Sequence, residues 1–267
     1  MDDHRTEFND PTTVEARRTS FGAGAATYDA VRPRWPEPTV HWLVGEPDGP
    51  LRVLDLGAGT GLGTRSIAAL GHEVTAVDPS AEMLAALDLA SAALPREVGA
   101  RITTLLGRGE ELDVPDASHD AVTCFQAWHW VDPDLAGPEC ARVVRPGGVL
   151  ALAWNSWSDR EPWLRELGEV VGTPEMVWDP ERHGATATDQ TARIGGFEAP
   201  ENIQFGLEQT LTVEELVLLA SSWSPVAVRD DRDAVLDRVR ALGTEVAGDE
   251  PTLVFPYVSD CWRYRRR

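Results

Sequence analysis

Residues 51–63 read LRVLDLGAGTGLG: an apolar run of strand length that passes into four alternating glycines and then into a helical pattern. A short apolar run bounded by glycines fits a strand buried on both faces. Glycine at such a strand-to-helix turn lets the backbone take positive φ and approach a ligand closely. The alternation continues downstream. EVTAVD (73–78), RITTLLG (101–107), HDAVTCF (119–125) and VLALAW (149–154) read as strands. Residues 62–70, 80–94 and about 133–144 read as helices, the first ended by Gly71 and the second N-capped by Ser80. Strands alternating with helices predict an α/β fold, a doubly wound, seven-stranded, mostly parallel sheet with helices on both faces.

Beyond Asn155 the alternation loosens. Residues 161–172, 212–223 and about 230–246 read as helices, the second opened by a capping box from Thr212 to Glu215. NIQFGLEQTL (202–211) and TLVFPYVSDCWRY (252–264) read as strands, predicting an antiparallel edge on the sheet. The expected organisation is a flexible arm (1–20), a helical lid (21–45) interrupted by the prolines of RPRWPEP, and one domain (46–267) with helical insertions at about 156–250.

The formal net charge is −20, and all 24 cationic side chains are arginine. So acidic a surface repels phosphate backbones, which argues against a nucleic-acid substrate. The one basic cluster, RYRRR (263–267), reads as a solvated tail. Cys124, Cys140 and Cys261 lack metal-ligand spacing, so the expectation is reduced thiols, no metal and a cytoplasmic protein. The polar start MDDHRTEFND has no apolar stretch behind it and is not read as a signal peptide. No apolar run reaches the length of about 18 residues that a membrane span needs.

The glycine loop narrows the ligand. A nicotinamide or flavin fingerprint needs G-x-G-x-x-G, but its last position falls on Leu62 or Thr64 here. What stands instead is an acid, Asp55, two residues before G-x-G-x-G, and a second acid, Asp78, at the end of the next strand. An acid there can accept hydrogen bonds from both ribose hydroxyls of a nucleoside. This spacing resembles motif I of the class I S-adenosylmethionine-dependent methyltransferases. The resemblance continues through AVDPSAEML (76–84), GRGEELDVPDASHDAV (107–122), QAWHW (126–130) and RVVRPGGVLAL (142–152). It extends to the broad small-molecule group, with a type 11 domain, that includes trans-aconitate methyltransferase-like proteins. It is specific from about Phe21 to Asn155 and loose afterwards.

The resemblance implies a Rossmann-like fold, S-adenosyl-L-methionine as cofactor, S-adenosyl-L-homocysteine as product and a small-molecule methyl acceptor. It implies that Asp55, Gly57, Ala58, Gly59 and Gly61 bind the cofactor, with Asp55 suited to its sulfonium and ammonium region. Asp78 would hold the ribose and Pro79 and Met83 would flank the adenine. Gly109 and Glu110 would lie near the adenine edge and Gln126 near the methionyl part. Many relatives carry an acid before Gly109 to bond the adenine amine; Arg108 stands there in this chain, leaving that contact to backbone groups or Glu110. YDAVRP also matches the group. Tyr28 and Arg32 share a helical face, and Arg32 either pairs with the methionyl carboxylate or caps a helix end.

Methyl transfer from a sulfonium is an in-line displacement, so alignment and a dry pocket are the main requirements. A base is needed only if the acceptor arrives protonated. Methyltransferases acting on nucleobase or glutamine amines are expected to carry Asn/Asp-Pro-Pro-aromatic after the fourth strand, where this chain has FQAWHW. Trp128 and Trp130 follow the fourth strand, and Trp154 and Trp157 the fifth, on the ligand edge of a doubly wound sheet. These rings either wall an acceptor pocket suited to a planar, apolar or cationic molecule, or fill the gap between sheet and helices. His129, among them, is either a general base or a ring oriented to shape the loop. Two other functions fit less of the pattern: a non-catalytic S-adenosylmethionine-binding regulator, and an NAD(P)-dependent oxidoreductase.

Overall fold

The computed structural model describes residues 29, 31–45, 49–178 and 194–267. The expected arm, Tyr28 and the part of the expected lid before Asp29 lie outside the described residues. In chain order the elements are α1 (Glu37–Val44), β1 (Arg52–Leu56), α2 (Leu62–Ala69), β2 (Glu73–Asp78), α3 (Ala81–Ala92), α4 (Arg96–Gly99), β3 (Ile102–Leu106) and β4 (His119–Phe125). There follow a short 3-10 turn (Trp128–Trp130), α5 (Pro133–Val143), β5 (Val144–Trp157), α6 (Pro162–Val171), a second 3-10 turn (Pro174–Met176) and β6 (Glu201–Leu211). The chain closes with α7 (Val213–Ser221), α8 (Ser224–Ala227), α9 (Arg232–Ala247) and β7 (Leu253–Arg265).

Local chemistry sets several of these boundaries. Ser80 accepts the Met83 N–H at the start of α3, and Asp132 accepts the Asp134 N–H at the start of α5, where Pro133 takes the first helical position. Thr212 and Glu215 form the reciprocal capping box that opens α7. β5 starts five residues before its expected beginning. His119 faces Val144 while Ala121 faces Val149, so Arg-Pro-Gly-Gly is absorbed as a bulge, with Gly147 at φ 77°.

The strand order is β3-β2-β1-β4-β5-β7-β6. β1 runs parallel to β2 and β4, β2 to β3, and β4 to β5. The Gly147 N–H bonds the Arg266 carbonyl and the Ser158 N–H bonds the Pro256 carbonyl. Partner numbers fall as β5 advances, so β7 is antiparallel to it, as the late strands predict. The chain moves outward from β1 to β3 and then returns to β4 on the other side of β1. This places the topological switch point between β1 and β4, the edge where doubly wound sheets bind ligands.

The chain divides into two compact units. The larger holds 33–156, 178–207 and 257–267, so far as these are described. In it, Leu54, Leu56, Val122, Leu150 and Leu152 pack with Ala136, Cys140 and Val143 of α5 on one sheet face. Val53, Ala121, Ala151 and Ala153 pack with Val40 and Leu43 of α1 and with Ile67 and Ala68 of α2 on the other. Alternate residues of each strand serve opposite faces, which is why the central strands read as unbroken apolar runs. Of its described residues, the smaller unit holds Asp29, Val31, Arg32, 157–177 and 208–256, where α6, α7, α8 and α9 gather. Residues 194–207, inside the segment expected as an insertion, belong to the larger unit.

The basic C-terminus corrects an expectation. Arg263 donates to Glu201 and to the Trp42 carbonyl and lies 4.6 Å from the centre of the Trp42 ring. Arg265 donates to the Gly147 carbonyl and Arg266 to the Val144 carbonyl. Arg263 and Arg265 belong to the end of β7 and Arg266 follows it; all three are committed to the sheet rather than a solvated tail. Among the described residues no helix is long and apolar enough to cross a membrane, and no group of His, Cys, Asp and Glu side chains could hold a metal ion.

Candidate cofactor and acceptor site

The loop after β1 is held from two sides. The Gly57 and Ala58 N–H groups both donate to the Val77 carbonyl at the end of β2, at 2.8 and 3.0 Å. Asp78 then clamps the loop with its side chain: Oδ2 accepts the Gly59 N–H and Oδ1 the Ser80 N–H, each at 2.9 Å. Gly57 sits at φ 67°, and a Cβ there would lie 2.4 Å from the Ala127 Cβ. Gly59 also has positive φ, 55°, but among the described residues a Cβ there would meet nothing within 4 Å. The loop is therefore packed against protein at Gly57 and open at Gly59, with Gly61 leading into α2. Pro79 is exposed beside Asp78, and Met83 is buried on the first turn of α3.

Asp55 lies beneath this loop, 1% exposed. Its Oδ2 accepts the Thr64 hydroxyl at 2.6 Å and its Oδ1 the Thr123 hydroxyl at 2.9 Å. Burial pushes its pKa up to about 6, against the opposing pull of the two hydroxyls. The folded state thus holds this proton more tightly than the unfolded chain. That contribution to stability is full below pH about 4 and is lost as pH rises through about 6. An Asp55→Asn variant does not titrate. The stability difference between wild type and variant should shift against the wild type by about 2 kcal/mol between pH 4 and 7. Urea denaturation at both pH values reads this directly; a difference independent of pH would contradict it.

The segment after β3 is organised by Arg142 of α5. Its guanidinium donates to Glu139, to Asp116 and to the carbonyls of Leu112 and Val114. The Glu139 carboxylate lowers its own pKa through that pairing and also accepts the Leu112 N–H. Gly109 is buried at this turn, where a Cβ would press on Leu56. Glu110 accepts the Asp132 N–H at 3.0 Å, so its carboxylate serves the start of α5. Arg108 is exposed and pairs through its backbone with Glu111.

At the end of β4, Gln126 takes φ 55°, a left-handed conformation that is uncommon for a residue with a side chain. Its N–H donates to the Ala153 carbonyl and its Nε2 to the Asn155 carbonyl. Backbone strain of this kind at the carboxyl edge of a sheet, next to a glycine loop, is a marker of function.

The four tryptophans separate. Trp128 is 2% exposed and belongs to the core cluster on the α5 face, with its Nε1 lacking a hydrogen-bond partner. Trp157 is 1% exposed in the smaller unit, its ring 4.6 Å from Trp223 and 5.7 Å from Phe255. Both are core packing, which corrects their expected place in a pocket wall: the rings fill space between sheet and helices. Trp130 and Trp154 stay half-buried.

His129 has an exposed edge and lies between these two, its ring centre 4.7 Å from that of Trp130 with the planes tilted by 48°. The Trp154 Nε1–H donates to its Nδ1 at 3.4 Å, a long contact that selects the tautomer with hydrogen on Nε2. The surrounding rings hold its pKa low, while the water at its exposed edge limits that displacement, so the ring is neutral at pH 7. With Nδ1 occupied and Nε2 protonated, His129 is poorly set to take a proton from an acceptor. The structure favours loop shaping over general base. Arg32 donates to the Ser222 hydroxyl and carbonyl, both at 3.1 Å, just past α7.

Four residues of this edge escape the sequence reading: Thr64 and Thr123 on Asp55, and Asn155 with Ser259. The available signal is a polar residue inside an apolar strand, as in AVTCF and LALAWN, since buried polar groups need partners.

The profile of a family described as methyltransferase domain matches residues 54–152. An uncharacterized methyltransferase of Mycobacterium tuberculosis is 41% identical over 251 residues, covering 91% of this chain and 94% of that protein. A ubiquinone biosynthesis O-methyltransferase of Alkalilimnicola ehrlichii is 34% identical over 162 residues, covering 54% of this chain and 64% of that protein. Among solved structures, a candidate type II methyltransferase of Anaeromyxobacter dehalogenans superposes with a TM-score of 0.62 at 26% identity, covering 88% of this chain and 97% of that one.

Proposed function

The chain belongs to the class I S-adenosylmethionine-dependent methyltransferases, and we propose that it methylates a small-molecule acceptor, a metabolite or natural-product intermediate. The observation that carries the site assignment is the contrast within one loop. Gly57 is packed against Ala127, whereas Gly59 faces open space beside a carboxylate already locked in position. That is the cradle a nucleoside sulfonium requires: backbone without side chains on the ligand side, a buried acid for the ribose, and a second acid beneath for the cation.

The residues fit their roles as follows. Asp78 binds the ribose hydroxyls while holding Gly59 in place. Asp55, kept in position by Thr64 and Thr123, supplies negative potential to the methionyl end. Pro79 and Met83 stand at the start of α3 to border the adenine, with Gly109 and the backbone near it on the other side; Glu110 acts by fixing the turn. Gln126, Trp130 and Trp154 border the acceptor side. When bound, the sulfonium supplies an activated methyl: the acceptor–carbon bond forms as the sulfur–carbon bond breaks, leaving S-adenosyl-L-homocysteine. The remaining work is alignment and exclusion of water.

Loss of a single methyl from labelled S-adenosylmethionine to a metabolite extract, followed by mass spectrometry of the product, tests this function. A protein that binds the cofactor and transfers nothing across broad extracts would contradict it. His129→Ala should leave S-adenosylhomocysteine affinity within about twofold and preserve the pH dependence of turnover. Loss of the low-pH limb of the pH–rate profile would restore the general-base role.

A further inference from the structure

Asn155 stands at the carboxyl end of β5 and is 6% exposed. Its side-chain oxygen accepts the hydroxyl of Ser259 on β7 at 2.5 Å, and its backbone carbonyl accepts Nε2 of Gln126 at 3.0 Å. Ser259 is fully buried. Among the described residues nothing accepts a hydrogen bond from the Asn155 side-chain nitrogen. Among the described residues the side-chain nitrogens of Trp128 and His72 are sealed in the protein without partners, and the Asn155 nitrogen is not among these sealed donors. An amide more than nine-tenths buried, with its oxygen satisfied and its donors left over, has a definite direction. The Ser259 hydroxyl turns the oxygen inward, so the NH2 group faces outward.

The position of this amide matters as much as its chemistry. Gly57 of the cofactor loop presses on Ala127, Ala127 adjoins the left-handed Gln126, and Gln126 bonds Asn155. A continuous line thus runs along the carboxyl edge from the loop after β1, through β4 and β5, to Ser259. We propose that the Asn155 side-chain nitrogen orients the methyl acceptor by donating a hydrogen bond to a neutral hydroxyl or carbonyl oxygen, with Ser259 as the positioning residue that keeps the donor facing out. This rests on the methyltransferase assignment of the loop and adds the chemical class of the acceptor. A charged carboxylate or phosphate would call for an arginine fork, and none of the described arginines bonds to Asn155, Gln126 or Ser259. The likeness to a ubiquinone biosynthesis O-methyltransferase over part of the chain supports an oxygen-bearing acceptor.

The test uses the full chain, S-adenosylhomocysteine as cofactor probe, and 4-nitrocatechol and 4-nitroaniline as acceptor probes. The wild type is expected to methylate 4-nitrocatechol. Asn155→Ala and Asn155→Asp should raise its KM about tenfold, the worth of one hydrogen bond, with kcat changed less and S-adenosylhomocysteine affinity within about twofold. Ser259→Ala should move KM in the same direction, and Ser259→Thr, which keeps the hydroxyl, should restore it. Unchanged KM in the Asn155 variants would overturn the proposal. So would a raised KM accompanied by loss of cofactor affinity and of thermal stability, which marks a tie between strands. Cofactor binding with turnover only on 4-nitroaniline, or on neither probe, would overturn the acceptor class while leaving the cofactor site standing. Absence of S-adenosylhomocysteine binding by the wild type would instead remove the underlying assignment.

Discussion

Asp78→Ala should lower S-adenosylmethionine affinity about 100-fold and reduce stability as well. Two effects combine in one substitution. The carboxylate is charged and its bonds to ligand hydroxyls are each worth about 1.5–3 kcal/mol. Its loss also leaves the Gly59 and Ser80 N–H groups without the acceptors they use at 2.9 Å. A part-buried donor left unpaired costs about 1–3 kcal/mol, so the loop relaxes even in the absence of ligand. Calorimetric titration measures the first effect, and urea denaturation the second. Asp78→Asn should fall between the two, because one amide oxygen can keep only part of the clamp. Unchanged affinity in a folded Asp78→Ala protein would remove the ribose from this site.

Gly57→Ala should be more damaging to the fold than to any single ligand contact. The new Cβ would sit 2.4 Å from the Ala127 Cβ, a distance that no rotamer relieves because both atoms are fixed to backbone. The position also needs φ 67°, which costs a residue with a side chain about 1–2 kcal/mol. Overpacking adds about 1–3 kcal/mol. Either the end of β4 or the loop after β1 must shift, and Gln126, one residue from Ala127, shifts with it. The expected result is a loss of about 2–5 kcal/mol in denaturant unfolding, with cofactor binding lost as a consequence. A variant of wild-type stability would show that the contact between these two segments is looser than the structure has it.

Much of this architecture is legible in the chain because β1, β2 and β4 are covered on both faces. Burial on both sides writes an unbroken apolar run, and β2 and β4 have the boundaries their sequences predict. The start of β5 is not legible in the same way. Arg-Pro-Gly-Gly reads as a turn, and only pairing with β4 and β7 turns it into a bulge within a strand. The loop and its acids are readable because their spacing is local. Partners distant in sequence are not. Nothing near Asp55 announces Thr123, and nothing near Asn155 announces Ser259. Trp128 and Trp157 show the same limit. An indole has the same composition in a core as in a pocket wall, and only packing on residues far along the chain decides which. Arg263, Arg265 and Arg266 look like a tail by charge, yet their carbonyl and carboxylate partners draw them into the sheet.

The claim on which the account turns is that the open side of the loop, above Gly59, is where the cofactor lies. Gly59→Ala tests it most directly, because among the described residues the added methyl would meet no atom beyond its chain neighbours within 4 Å, which leaves the cost of φ 55°. Titration of S-adenosylhomocysteine into this variant, with unfolding measured in parallel, is expected to show a cooperatively folded protein destabilised by about 1–2 kcal/mol and an affinity reduced more than tenfold. A folded Gly59→Ala protein that binds S-adenosylhomocysteine as tightly as the wild type would place the cofactor elsewhere and contradict the account.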